Sequence, residues 1–286
     1  VDELIEITQR NIVINRKDIL RILSFQDEDI IFLSGSLIEG IINKYSKGMG
    51  NKLSDIDVFI LSNDVNKIQK STFDYEREGL KTQFKKQNGV DFDIEIHCKK
   101  SIVNLIDQLN TYNFDDSIRT FNALKLPTDF DFYKFTSFLH RLQNSIVIYN
   151  EKEFDSLISR FNRKNYFKLM TRVSVNKIDL YYEDVVGNIE NGQLEVAVNI
   201  ARTILLETMK AYLFHMKSSI DRDKWIPLKL KNLAQYNDEV AEIYVRFKKL
   251  YFEEKLDEDS KLQANAESII EFSNYVINKI GQEGEL

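Results

Sequence analysis

The stretch Ile30-Ile31-Phe32-Leu33-Ser34-Gly35-Ser36, followed after residues 37–54 by Asp55-Ile56-Asp57-Val58-Phe59-Ile60-Leu61, decides how the first half of this chain folds. Four β-favouring residues ending in Ser-Gly-Ser read as a buried strand running into a tight turn. Leu37, Ile38, Ile41 and Ile42 beyond it have the spacing of a helix. The second segment opens with alternation and becomes wholly apolar, the pattern of a central strand. Further on, Val90-Asp91-Phe92-Asp93-Ile94-Glu95-Ile96 alternates acidic and apolar residues without a break. Taken singly, a Gly-Ser is an ordinary turn, an Asp-x-Asp a solvated strand end, and an acidic alternation the wet face of an edge strand. In this order they agree with one another, which solubility alone does not supply.

Outward from this core, residues 2–24 alternate apolar and charged positions at near-helical spacing and predict a helix. Lys47-Gly48-Met49-Gly50-Asn51 predicts an exposed loop. From Ser101, the recurrence of Ile102, Leu105, Ile106 and Leu109 begins a helix. After Pro127 no alternating strand stands out, and helices are expected near 129–149, 153–186, 192–217, 234–255 and 261–281. Only 2 prolines occur in the 286 residues, which favours long helices because few positions lack a backbone donor. The expected fold is therefore α+β. Residues 1–126 form a mixed-sheet domain and residues 127–286 an all-α helical bundle.

Composition narrows the function. A net charge of −6 argues against a broad basic face for duplex nucleic acid. The single cysteine, Cys98, rules out an internal disulfide and fits a reducing cytosol. No apolar run approaches the ~20 residues of a membrane span, so a cytoplasmic protein without membrane contact is expected. His97, His140 and His215 are too dispersed for a zinc motif, and surface or core-edge positions are expected for them.

The chemistry lies in the acids. Strand geometry puts Asp55 and Asp57 on one face, with Ile56, Val58 and Ile60 on the other. Two carboxylates held side by side repel, and a bound divalent cation is the usual remedy. Mg²⁺ takes oxygen ligands and keeps places for water and phosphate, so two or three carboxylates and a triphosphate complete its shell. A third acid from the neighbouring strand can bind a second ion and help deprotonate an attacking hydroxyl. Asp91, Asp93 and Glu95 share a face, and parity does not choose among them; Asp93, the central one, is preferred. Gly35 allows close backbone approach to a phosphate, and Ser36 can donate to it.

Phe32-Leu33-Ser34-Gly35-Ser36, with Leu53-Ser54-Asp55-Ile56-Asp57-Val58-Phe59-Ile60, resembles the signature of the DNA polymerase beta-like nucleotidyltransferase superfamily. The resemblance covers residues 30–97. It implies a mixed sheet flanked by helices, two-metal transfer of a nucleoside monophosphate, and pyrophosphate as leaving group. It also implies Gly35 and Ser36 as phosphate holders, Asp55 and Asp57 as metal ligands, and an acid within 91–95 as the third carboxylate. A minimal catalytic domain followed by helices looks most like the antibiotic-modifying members. The residues 37–54 between Ser36 and Asp55 are more than the resemblance leads one to expect; an extended loop at Lys47 to Asn51 accounts for the excess.

In the second half, Arg160, Lys164, Lys168 and Arg172 recur every four residues, with Arg163 beside them, and predict a basic stripe on one helix. Such a stripe is either a solvated face or a wall that neutralises triphosphate; Lys164 and Lys168 are the candidates for the second role. The expected enzyme uses two Mg²⁺, or Mn²⁺, and a nucleoside triphosphate, ATP first, to nucleotidylate a small-molecule hydroxyl. A protein, tRNA or nucleotide acceptor, or a degenerate nucleotide-binding module, are the alternatives. Long helices with apolar faces also allow a homodimer.

Overall fold

The computed structural model describes residues 4–68, 74–77, 80–114, 124–127 and 131–282. The chain forms two compact units, Val1–Tyr112 with Leu124–Asn162, and Asn113–Ala123 with Arg163–Leu286. The fold is α+β, with the sheet in the first unit and helices making up the second.

The first unit opens with an antiparallel hairpin, β1 (Leu4–Ile7) and β2 (Ile12–Asn15), instead of the helix expected over residues 2–24. In β1 burial alternates, Ile5 and Ile7 inward, and Asn11 turns the chain in the left-handed region at φ 53°. Only α1 (Arg16–Ile22) is helical there, started by the Asn15 side chain accepting from the Lys17 amide.

Six strands follow: β3 (Ile30–Ser34), β4 (Ile56–Ser62), β5 (Tyr75–Arg77), β6 (Leu80–Gln87), β7 (Val90–Cys98) and β8 (Ile146–Tyr149). Their order is β5-β6-β7-β4-β3-β8. β4 and β7 run parallel, and every other pairing is antiparallel. A parallel pair needs a long crossover, which residues 63–89 supply with β5 and β6. One sheet face, with Ile31, Leu33, Ile56, Val58, Ile60, Ile94 and Ile96, is buried in a cluster with Ile5, Ile7, Ile19 and Leu37. On the other face Phe32 stacks on Phe59 at 5.1 Å between centroids, and Phe59 stacks on His97 at 6.0 Å. The remaining helices of this unit are α2 (Ser36–Ile42), α3 (Lys99–Asn110), α4 (Phe132–Gln143) and α5 (Glu151–Arg160). Phe138 of α4 lies edge-on to His97 at 5.2 Å and to Phe32 and Phe59, so α4 covers the aromatic face.

The helix expected over 129–149 is thus cut short; residues 129–130 lie outside the described residues. Ile146–Tyr149 pairs with β3 through Phe32↔Val147 and Leu33↔Ile146. The sequence reading set a boundary at Pro127. The compact units divide after Asn162 instead, because this pairing and the α4 aromatics belong to the sheet. The loop at 47–51 is exposed at Lys47, Gly48 and Asn51, but Met49 is buried and its carbonyl accepts from Gln9 Nε2 at 3.1 Å.

The second unit holds α6 (Arg163–Glu190), α7 (Leu194–His215), α8 (Ile226–Leu233), α9 (Asp238–Lys248), a π-helical stretch at Lys249–Glu253, and α10 (Asp259–Gln282). Gly192, at φ 71°, turns the chain between α6 and α7. Among the described residues no helix is long and apolar enough to cross a membrane.

Candidate functional site

Sheet register brings the predicted acids together. Ser34 pairs with Asp57 across β3 and β4, and Asp57 with Asp93 across β4 and β7. The next row on the same face is Phe32, Phe59 and Glu95. Asp57 and Asp93 are therefore nearest neighbours in the parallel pair, their side chains on one face. Gly35 follows Ser34 directly, at φ 89° and ψ −179°, and α2 starts at Ser36. Asp57 leans onto this turn so closely that a methyl on Gly35 would lie 1.7 Å from Asp57 Oδ2. Asp55 stands exposed just before β4. Its position is set by a turn in which the Asn51 amide donates to Ser54 Oγ, and by Arg10 Nη1 donating to the Ser54 carbonyl at 2.7 Å.

Asp91 is drawn elsewhere: it is exposed and pairs with Lys86 at 3.3 Å, across the β6–β7 ladder. Glu95 pairs with His97 at 3.0 Å, two residues along the same face. All three histidines are buried, contrary to the surface or core-edge positions expected from sequence. His97 is held by Glu95 and the aromatics, and His140 stands 3.0 Å from Glu39. His215 closes α7 with its ring 6.3 Å from that of Tyr212.

One residue that sequence reasoning did not place in the site is Arg141. Its Nη1 is 2.8 Å from Asp57 Oδ1, and its guanidinium carbon lies 5.5 Å from the Phe59 ring centre. Helical spacing explains the reach: Arg141 is one turn beyond Phe138, so the face of α4 that packs on the aromatics also delivers a cation to the next row. The apolar stripe Phe135, Phe138, Leu139 and Leu142 was the available signal that this face of α4 is inward, with Arg141 beside it.

Electrostatics mark the cluster as strained. Burial pushes Asp57 up to about 6; Arg141 pulls it down, while Asp55 and Glu95 add repulsion. Asp93 is pushed up to about 7, first by burial and then by Glu95, Asp57 and Asp55. Its Oδ1 is buried with no hydrogen-bond partner. Burial also pushes on Glu95, but the His97 hydrogen bond and the charges of His97, Arg141 and Lys134 hold it below the usual glutamate range. Among the described residues, no three His, Cys, Asp or Glu side chains converge closely enough to hold a metal ion.

A stability consequence follows. Asp93 binds its proton more tightly when folded than its ordinary value of 3.8. The stabilisation this provides is full below about pH 4 and is lost as pH rises through about 7. Asp93→Asn removes the ionised group and is expected to raise stability at pH 8 by on the order of 1–2 kcal/mol, screened because the side chain is only half-buried. At pH 4 the gain should largely vanish. Urea denaturation at the two pH values measures this; no gain at pH 8 would show that the carboxylate is not strained.

The basic stripe is divided by the fold. Arg160 ends α5 and forms a two-point ion pair with Asp107, Nε–Oδ1 2.6 Å and Nη2–Oδ2 2.5 Å. Lys164, Lys168 and Arg172 lie on α6 in the second unit. There Lys168 and Arg172 flank the Phe114 ring at 5.5 and 5.3 Å, and Arg172 donates to the Phe114 carbonyl. Lys164 is exposed.

No protein-family model matches the chain. No curated protein matches it. Among solved structures it is similar to a nucleotidyltransferase-like protein from Exiguobacterium sibiricum, with a TM-score of 0.47 and 9% identity, over 90% of this chain and 72% of that one.

Proposed function

We propose that the protein is a metal-dependent nucleotidyltransferase that moves a nucleoside monophosphate, from ATP in the first instance, to a hydroxyl of a small molecule and releases pyrophosphate. The observation that carries this reading is the row formed by the Gly35 turn, Asp57 and Asp93, set side by side by strand register. The donor set is of the type a hard cation takes, although among the described residues no three carboxylates converge on one point. It consists of carboxylate oxygens, one of them buried without a partner, in a place where negative charge is under-compensated despite Arg141. Asp55, Asp57 and Asp93 would hold Mg²⁺, or Mn²⁺ as substitute, only if the exposed Asp55 closed on the other two, because no three carboxylates converge among the described residues. When bound, the ions supply Lewis-acid charge to the phosphate oxygens.

The chain's own residues do the rest. Gly35 leaves room for the Asp57 carboxylate against the turn, and Ser36, which opens α2, donates to the phosphate. Asp93, as the third carboxylate, takes the proton of the attacking hydroxyl. The new oxygen–phosphorus bond forms as the bond to pyrophosphate breaks, and the electron pair of that bond leaves with pyrophosphate. A net charge of −6 favours a small acceptor over a nucleic-acid polymer.

The test is incubation with ATP, Mg²⁺ and an acceptor panel while pyrophosphate is followed. The α-labelled triphosphates are traced into small-molecule, protein and RNA fractions. Label in protein or RNA would move the acceptor class and keep the chemistry. A second reading, a nucleotide-binding module without turnover, is favoured by the Arg141–Asp57 ion pair. Metal-dependent triphosphate binding with no product on any acceptor would select it.

A further inference from the structure

The polarity of β6 runs against its burial. Lys81 and Gln83, opposite Ile96 and Ile94, are buried on the face of the apolar cluster, while Phe84 stands 62% exposed on the face that carries Asp57 and Asp93. A slip of one residue would reverse this, hiding the ring and freeing both polar side chains. The hairpin forbids the slip. β6 meets β7 through Asn88-Gly89, at φ 52° and 77°, a two-residue turn of the left-handed kind that fixes register. The polar side chains are provided for, Lys81 by Glu76 at 3.1 Å and Lys85 by the Ile22 carbonyl at the end of α1. A lone exposed ring is ordinary. A strand that buries a lysine and a glutamine and leaves its phenylalanine outside points to a use for the ring.

Register says where that use lies. Phe84 is the cross-strand partner of Asp93, so the row of the candidate site continues as Ser34, Asp57, Asp93 and Phe84. The Phe84 amide faces β5 and donates to Asp74 Oδ2 at 2.6 Å, which holds the backbone under the ring. Phe84 and Asp93 are therefore a pair without ladder hydrogen bonds of their own, the kind whose side chains come closest, about 4.5–5.5 Å between Cβ atoms. Tyr75, opposite Thr82 on β5, puts a second aromatic on the same face, 44% exposed and a diagonal neighbour of Phe84. On the other side of Phe84, Lys86 is engaged with Asp91.

We propose that Phe84 is the floor of the acceptor subsite, and that the acceptor carries its hydroxyl on a flat aromatic ring that lies against Phe84 with the hydroxyl towards Asp93. This rests on the reading of Asp93 as the carboxylate that takes the hydroxyl proton. The order of the row decides which substrate the ring meets. The phosphate end is the Gly35 turn, Asp57 and Asp93 follow, and Phe84 lies beyond them, where the attacking molecule remains to be held. Two flat rings gain contact area and a favourable arrangement of their quadrupoles. A flexible aliphatic alcohol covers less of the ring and loses more freedom in doing so.

Ring binding requires neither metal nor nucleotide, so it is measured by itself. The test is saturation-transfer nuclear magnetic resonance on the full chain with 2-naphthol, its saturated counterpart decahydro-2-naphthol, and methyl glucopyranoside. The aromatic alcohol is expected to bind severalfold more tightly than the other two. Phe84→Ala should weaken it about tenfold, and Phe84→Trp should retain it. Phe252→Ala, which removes an exposed ring of the second unit, should leave it unchanged. Unchanged naphthol binding in Phe84→Ala, or tighter binding of the glucoside, overturns the aromatic subsite and leaves nucleotidyl transfer intact. Phe84-dependent ring binding, with no pyrophosphate released on any acceptor, keeps the aromatic floor and overturns the transfer reading that makes its occupant an acceptor.

Discussion

Gly35→Ala is expected to destabilise the protein by roughly 3 kcal/mol or more and to remove any transfer activity, from the addition of one methyl group. Two costs combine. The backbone at φ 89° and ψ −179° lies in a region that only glycine occupies readily, worth about 1–3 kcal/mol for any other residue. The added carbon would also sit 1.7 Å from Asp57 Oδ2 and 2.7 Å from its Cγ. Asp57 cannot stay, and turning it away breaks the 2.8 Å pair with Arg141, leaving a sheltered cation without its carboxylate. Urea midpoints of the full chain measure the first effect and pyrophosphate release the second. A double substitution separates the two costs: with Asp57→Ala in place the clash is gone, so the Gly35→Ala penalty should fall to the backbone part alone. If Gly35→Ala stays within about 1 kcal/mol of the unaltered protein, the carboxylate does not rest on the turn.

The parts of the fold that were legible in the sequence are those where burial and polarity follow a single period. Ile30 to Ser34, Asp55 to Leu61 and Val90 to Ile96 each announced a strand, while the register that sets Asp57 against Asp93, a choice parity leaves open among Asp91, Asp93 and Glu95, comes only from the fold. β6 gave no such signal because its alternation is inverted. Lys81 and Gln83 are buried while Phe84 is 62% exposed, and Lys81 is accommodated by an ion pair with Glu76. β8 was absorbed into a helix because four apolar residues carry no period of their own. With β8 misread, α4 was assigned to the wrong half of the chain, and Arg141 went unnoticed as a site residue. The first hairpin failed for a related reason: Leu4 and Val13 are 60% exposed, so apolar residues on both faces imitate helical spacing.

Asp57→Asn is expected to lower the rate of nucleotidyl transfer by about 1,000-fold or more, the loss of several kcal/mol of charge stabilisation at the transferred phosphate. The fold should survive the change. Asp57 is pushed up to about 6, mainly by burial. The stability linked to its proton is present below about pH 4 and lost as pH rises through 6, so above neutrality a neutral amide relieves a cost. Against that stands the loss of a partner for Arg141, which limits any net gain. Activity and stability should therefore separate: circular dichroism and urea midpoints near those of the unaltered protein, with pyrophosphate release in single turnovers almost abolished. Asp55→Asn should cost less than Asp57→Asn, because Asp55 is exposed ahead of the strand whereas Asp57 sits between the Gly35 turn and Asp93. If Asp57→Asn retains activity within tenfold, the chemistry does not run through this carboxylate. The acids on β4 and β7 would then serve only to hold Arg141 and the end of α4 in place.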